Sequence, residues 1–193
     1  MKNIHKLALA GAALALVFGV TAYAPAPSFA TEMTKMVGGA EMYPSKNIVQ
    51  NAVNSKDHTT LVAAVKAAGL VPTLESKGPF TVFAPTNEAF AKLPAGTVDT
   101  LLKPENKKTL TNVLTYHVVP GHYTAKDLTS QIDQMGGKLM LNTVQGEPLT
   151  LERSGKSHIT VTDAKGDVAR ITIPDVMQSN GVIHVINKVM IPG

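Results

Sequence analysis

The sequence has no cysteine and no tryptophan, and five phenylalanines and four tyrosines are its whole supply of aromatic rings in 193 residues. Without cysteine there is no disulfide and no thiol nucleophile, and the chain cannot be a bacterial lipoprotein, which needs a cysteine behind its leader. Stability must then come from the core alone. Also missing are Gly-x-Ser-x-Gly and His-Glu-x-x-His, the marks of common acyl-transfer and zinc-protease sites. Glycosidase carboxylates come from distant parts of a chain and leave no motif, but few acids here lie at the ends of apolar strands. No Lys/Arg cluster is interleaved with aromatics, so nucleic acid is not an expected partner. Beyond residue 30 no apolar run is long enough to anchor the chain in a membrane.

What is present begins with Lys2, His5 and Lys6, an uncharged apolar run from Leu7 to Val20, and a Pro/Ser/Ala segment ending Ser28-Phe29-Ala30. This pattern is a secretory signal peptide, and cleavage after Ala30 is expected, with Ala24 as an earlier possible site. Removal of residues 1–30 takes away two lysines and no acid, reducing the formal charge from +4 to +2 over 163 residues. That length suits one domain with a sizeable core. The product is expected to be soluble, in the periplasm or outside the cell.

The three phenylalanines behind the leader, Phe80, Phe83 and Phe90, lie within eleven residues. Phe80, Val82 and Ala84 fall on one face of an extended segment and Phe83 on the other, which predicts a central strand covered on both sides. Pro85 ends it, and Thr86 is placed to cap a short helix that turns Phe90 inward.

Residues 31–46 read as an extended N-terminal arm, in which either Met33, Met36 and Met42 are soft copper ligands or Met36, Val37 and Met42 lie against the domain as packing filler. No histidine lies between 31 and 57 to complete such a site, so filler is the better reading. The domain is expected over 47–193. Helical spacing begins at Asn47, resumes at Asp57 or Thr59 and stops at Gly69, with one more turn around Pro72. A brief helix follows with Val98, Leu101 and Leu102. Pro104 opens another with Leu110, Val113 and Leu114 inward, running into a strand and turn at Tyr116–Gly121. Thr124 and Asp127 have the spacing of a capping box. Short strands are expected around Leu139–Leu141, Pro148–Glu152, His158–Thr162 and Val168–Ile173. A tight turn at Ser179-Asn180-Gly181 leads into a long central strand over 182–191. Helices first and hairpins last predict α+β, the first strand pairing with late ones.

Three stretches resemble the boxes of the fasciclin domain family: Gly78-Pro-Phe-Thr-Val-Phe-Ala-Pro-Thr-Asn-Glu-Ala-Phe90, Tyr116-His-Val-Val-Pro-Gly121, and Ser179-Asn-Gly-Val-Ile-His-Val-Ile-Asn-Lys-Val-Met-Ile-Pro192. The lead-in over 42–49 is similar to small exported single-domain bacterial members. The resemblance implies a wedge-like β-sandwich flanked by short helices, a role in adhesion, and no catalytic machinery. His58 stands where the family usually carries an aromatic ring, and Asn187 where Asp is common. Ile173-Pro-Asp-Val-Met177 is similar to the segment on which adhesive readings of animal relatives centre, with Ile173 in place of a frequent Glu or Lys.

The candidate interaction residues are therefore Asp175 and Val176, and Tyr116 and His117 of the Tyr-His box. A structural role competes in each case: Asp175 as a cap at a helix or turn start, and Tyr116 and His117 as a buried pair fastening a helix end to the sheet. His117 and His122, five apart across a Pro-Gly turn, could approach each other, but no third metal ligand is evident, so neither metal nor cofactor is expected. The sequence predicts an exported, non-catalytic module that binds an extracellular or cell-surface protein or glycan. The alternative is a periplasmic carrier of a small apolar ligand.

Overall fold

The computed structural model describes residues 33–155 and 158–193; the expected leader and its expected cleavage site lie outside them. The compact unit spans Glu32–Gly193. Its first element differs from the expected arm. Strands β1 (Lys35–Val37) and β2 (Ala40–Met42) pair antiparallel through a two-residue turn whose Gly38 and Gly39 both have positive φ, the geometry that matches strand twist. Val37 and Met42 are buried in the core while Met36 is exposed. Lys56 N–H donates to Gly38 C=O at 3.1 Å, tying the turn to the domain. Met33 and Met36 face water as Met42 points inward, so the three thioethers do not converge.

Short helices follow. Asn47 closes a capping box on α1 (Ile48–Ala52), and a 3₁₀ turn at Lys56–His58 leads into α2 (Thr59–Ala68), which Gly69 ends in a left-handed cap. After α3 (Val71–Glu75) comes β3 (Phe80–Pro85), then α4 (Asn87–Ala91), whose first turn Thr86 caps by accepting from Ala89 N–H. Next are α5 (Thr97–Leu101), α6 (Lys107–Tyr116), β4 (Val118–Pro120) and α7 (Ala125–Gln134), the last with the expected Thr124–Asp127 capping box. Strands β5 (Lys138–Asn142), β6 (Pro148–Ser154), β7 (His158–Thr162), β8 (Val168–Gln178) and β9 (Gly181–Ile186) complete the chain.

Seven strands form one mixed sheet in the order β4-β3-β9-β8-β7-β6-β5, and β3 and β9 are its parallel pair. Val144 N–H donates to Val118 C=O at 2.7 Å, so the loop after β5 meets the opposite end of the sheet and the sheet curls into a wedge. The architecture is α+β. Central β3 is covered on both faces: Val82 and Ala84 enter a core with α1, α2, α4 and α6, and Phe83 enters a second core with α7 and β5–β7.

Two strand predictions are corrected. The last strand stops at Ile186 instead of running to 191, because Asn187 turns its side-chain oxygen to the Arg170 N–H at 2.8 Å while its own N–H reaches Arg170 C=O. Strand β8 continues through Pro174-Asp175, where a helix or turn start was expected. The register against β9 shifts between Ile171 and Ile173 and again between Ile173 and Val176. Proline has no N–H for a ladder, so inside a strand it belongs at such an irregularity.

Candidate functional site

The Tyr-His box sits where α6 hands over to β4, and both side chains are interior, Tyr116 at 0% exposure and His117 at 2%. Tyr116 Oη donates to Pro148 C=O at 3.0 Å and accepts from Ala164 N–H at 3.0 Å. His117 Nδ1 bonds Val113 C=O at 2.7 Å, which requires a proton on Nδ1, and Nε2 accepts from Met190 N–H at 3.0 Å. Both nitrogens are used, so the ring is neutral and has no lone pair for a metal. Burial pushes its pKa down to about 4, against the pull of Val113 and Asp163. The box fastens α6 to the β6, β7–β8 and C-terminal segments, as the structural reading of the pair expects.

Asp175 and Val176 are adjacent but point to different environments. Val176 is 1% exposed and belongs to the helix-side core. Asp175 is half-buried with φ of 54°, the one positive φ outside glycine among the described residues. Such a backbone is tolerated best by Asn and Asp. Its Oδ1 accepts from Ala125 N–H at 2.6 Å, so Asp175 does cap a helix, but the helix is α7, fifty residues earlier. Asp175 N–H in turn donates to His184 Nδ1 at 3.3 Å. Sequence spacing cannot see an acceptor that far away.

Beside Asp175, Pro174 and Thr172 are exposed, and Lys35 Nζ donates to Pro174 C=O at 2.5 Å. Ala125, Thr129, His158, Ile171, Thr172 and Pro174 border a groove of about 220 Å3 between α7 and the β7–β8 strands. Sequence spacing does not signal this groove, because α7 and β8 meet only in the fold.

Among the described residues the enclosed apolar cavities are small. Two apolar cavities measure about 30 Å3, between α2, α3, α6 and the β3–β4 pair, and about 40 Å3, beside His58. His58 Nδ1 pairs with Ser55 Oγ at 2.8 Å, while Nε2 is the one buried side-chain polar atom without a hydrogen bond among the described residues. Burial lowers the pKa of this ring, with the Ala84 backbone and Asp57 pulling partly back. Among the described residues there is no group of three or more His, Asp or Glu side chains placed to hold a metal, and no helix long and apolar enough to cross a membrane.

The fasciclin domain model matches residues 56–192. The chain is 43% identical over 194 residues to Protein sll1483 of Synechocystis, covering 100% of this chain and 99% of that one. Transforming growth factor-beta-induced protein ig-h3 of Sus scrofa is 43% identical over 132 residues, 68% of this chain but 17% of that much longer protein. Among solved structures, a domain pair from the insect cell adhesion molecule fasciclin I superposes with a TM-score of 0.67 at 20% identity, covering 76% of this chain and 51% of that one. With the three boxes placed at the centre of the sheet, at the α6–β4 junction and along β9, the chain belongs to the fasciclin domain family.

Proposed function

We propose that this protein is an exported, non-catalytic interaction module that contacts an extracellular or cell-surface protein or glycan through the β8 bulge around Pro174 and Asp175. The observation that carries the reading is the division of labour among the four candidate residues. Tyr116, His117 and Val176 are buried and have structural partners, whereas Asp175 shapes an irregular, solvent-reached ridge flanked by exposed Thr172 and Pro174. Asp175 then acts by holding the ridge, and its neighbours make the contact. On this reading the hairpin and the domain behind it belong to the mature product after cleavage at Ala30. Adhesion fits a fold shared with an insect cell adhesion molecule.

Cavities of about 30 and 40 Å3 weigh against the carrier reading, since small-molecule sites enclose roughly 300–1,000 Å3. The test is an array of extracellular matrix proteins and bacterial envelope glycans probed with residues 31–193, together with native mass spectrometry of protein purified from its producing cells. Specific binding and a bare polypeptide mass are expected. A co-purified small molecule at full occupancy, with no binding on the array, would favour the carrier.

A further inference from the structure

Three elements converge on the bulge in β8: the β1 strand through Lys35 and Pro174 C=O, the α7 N-terminus through Ala125 N–H and Asp175 Oδ1, and β9 through His184 and Asp175 N–H. His184 is 0% exposed and lies against Phe83 of β3, ring centroids 5.7 Å apart. Its Nε2 bonds Tyr123 C=O at 2.8 Å. A carbonyl can only accept, so Nε2 carries the proton and Nδ1 is left with the lone pair that receives Asp175 N–H. This neutral tautomer is the one ring state that satisfies both partners.

We propose that His184 and Asp175 form an acid-responsive latch that sets the conformation of the bulge, a reading that rests on the bulge being the interaction surface. A proton added at Nδ1 makes that nitrogen a donor, so it faces Asp175 N–H donor to donor and the 3.3 Å bond is lost. The Asp175 carboxylate, whose charge already acts on this ring, is an acceptor for the new N–H. Turning to it frees Ala125 N–H at the start of α7 and moves the Pro174-Asp175 ridge. No bond is made or broken beyond the proton transfer from solvent.

The groups facing His184 set how readily this happens. Burial opposes the charged ring most, Lys35 of β1 and the His122 imidazole ahead of α7 oppose it further, and the Tyr123 carbonyl and Asp175 of β8 favour it. The net displacement is downward from 6.5, which places the latch on the acid side of neutrality.

Amide exchange of residues 31–193 over a pH series descending from 7.5, expressed as protection factors to remove the pH dependence of intrinsic exchange, tests this without any binding partner. A protein that binds nothing can still show the latch, and one that binds can lack it. As pH falls through the His184 midpoint, followed by imidazole nitrogen shifts, protection at Asp175 and Ala125 should fall at least tenfold more than at Leu151 and Val161, which report the global loss of stability that the buried histidines impose. His184→Asn, whose amide oxygen can accept at the Nδ1 position, should remove the difference. If that variant does not fold, imidazole nitrogen shifts of the wild type decide, because the His184 midpoint must coincide with the loss of protection. Asp175 and Ala125 moving in step with Leu151 and Val161, or losing protection while His184 stays neutral, would overturn the latch.

Discussion

At the scale of the residue, the buried imidazoles have different fates because their partners differ. His117 has a backbone partner at each nitrogen, Val113 C=O and Met190 N–H. Its removal leaves a cavity and two unpaired groups, so His117→Ala should cost about 2–4 kcal/mol in urea unfolding. His58 leaves Nε2 unpaired beside a cavity of about 40 Å3. Replacing it with the aromatic usual in the family removes the orphan nitrogen and fills space, so His58→Phe should stabilise by about 1 kcal/mol, close to the ~24 cal/mol per Å3 that cavities cost. A destabilised His58→Phe protein would mean that the Ser55 contact outweighs the filled space. The sequence marked both positions, His117 through the Tyr-His box and His58 as a departure from the aromatic usual in the family. It could not tell a saturated ring from a half-saturated one, since the deciding partner of His117 is the backbone of Met190, 73 residues away.

At the scale of the element, local chemistry was legible and long-range chemistry was not. Phe80–Pro85 lacks polar alternation and is indeed covered on both faces, Thr86 and Thr124 cap the helices that follow them, and Ser179-Asn180 makes the turn into β9. The Gly38-Gly39 turn between Val37 and Ala40 was a readable hairpin signal that the arm reading passed over. The β8 bulge was not readable, because it is held by α7 and β9, and the early end of β9 depends on Asn187 bonding Arg170. The β3–β9 pairing also rests on a close approach at its start: a Cβ on Gly181 would lie 2.0 Å from Phe80 O, a backbone atom with no rotamer to yield. Gly181→Ala should therefore cost about 3 kcal/mol or prevent folding. A shift of under about 1 kcal/mol in urea unfolding would contradict the parallel register.

At the scale of the whole molecule, acid acts on three buried histidines in the same direction. Burial holds the pKa of His58, His117 and His184 below 6.5 in the folded state, to about 4 for His117. Between pH 6.5 and 4 the unfolded chain therefore binds more protons than the native one, and stability falls as pH falls. His117 alone accounts for about 3 kcal/mol across that window, so urea midpoints should drop steadily from pH 7 to pH 4.5. His117→Gln should flatten the slope.

If the bulge ridge makes the contact, as proposed, and the Tyr-His box only supports the fold, substitutions in the two regions have opposite effects on binding. The direct test is binding of residues 31–193 to a ligand found on the protein and glycan array, measured by surface plasmon resonance at neutral pH and at a temperature where every variant remains folded. Pro174→Glu, which alters an exposed side chain but keeps the carbonyl that Lys35 uses, should lose binding, and His117→Ala should retain it. Binding that survives Pro174→Glu and vanishes with folded His117→Ala would place the contact at the Tyr-His box and contradict the account.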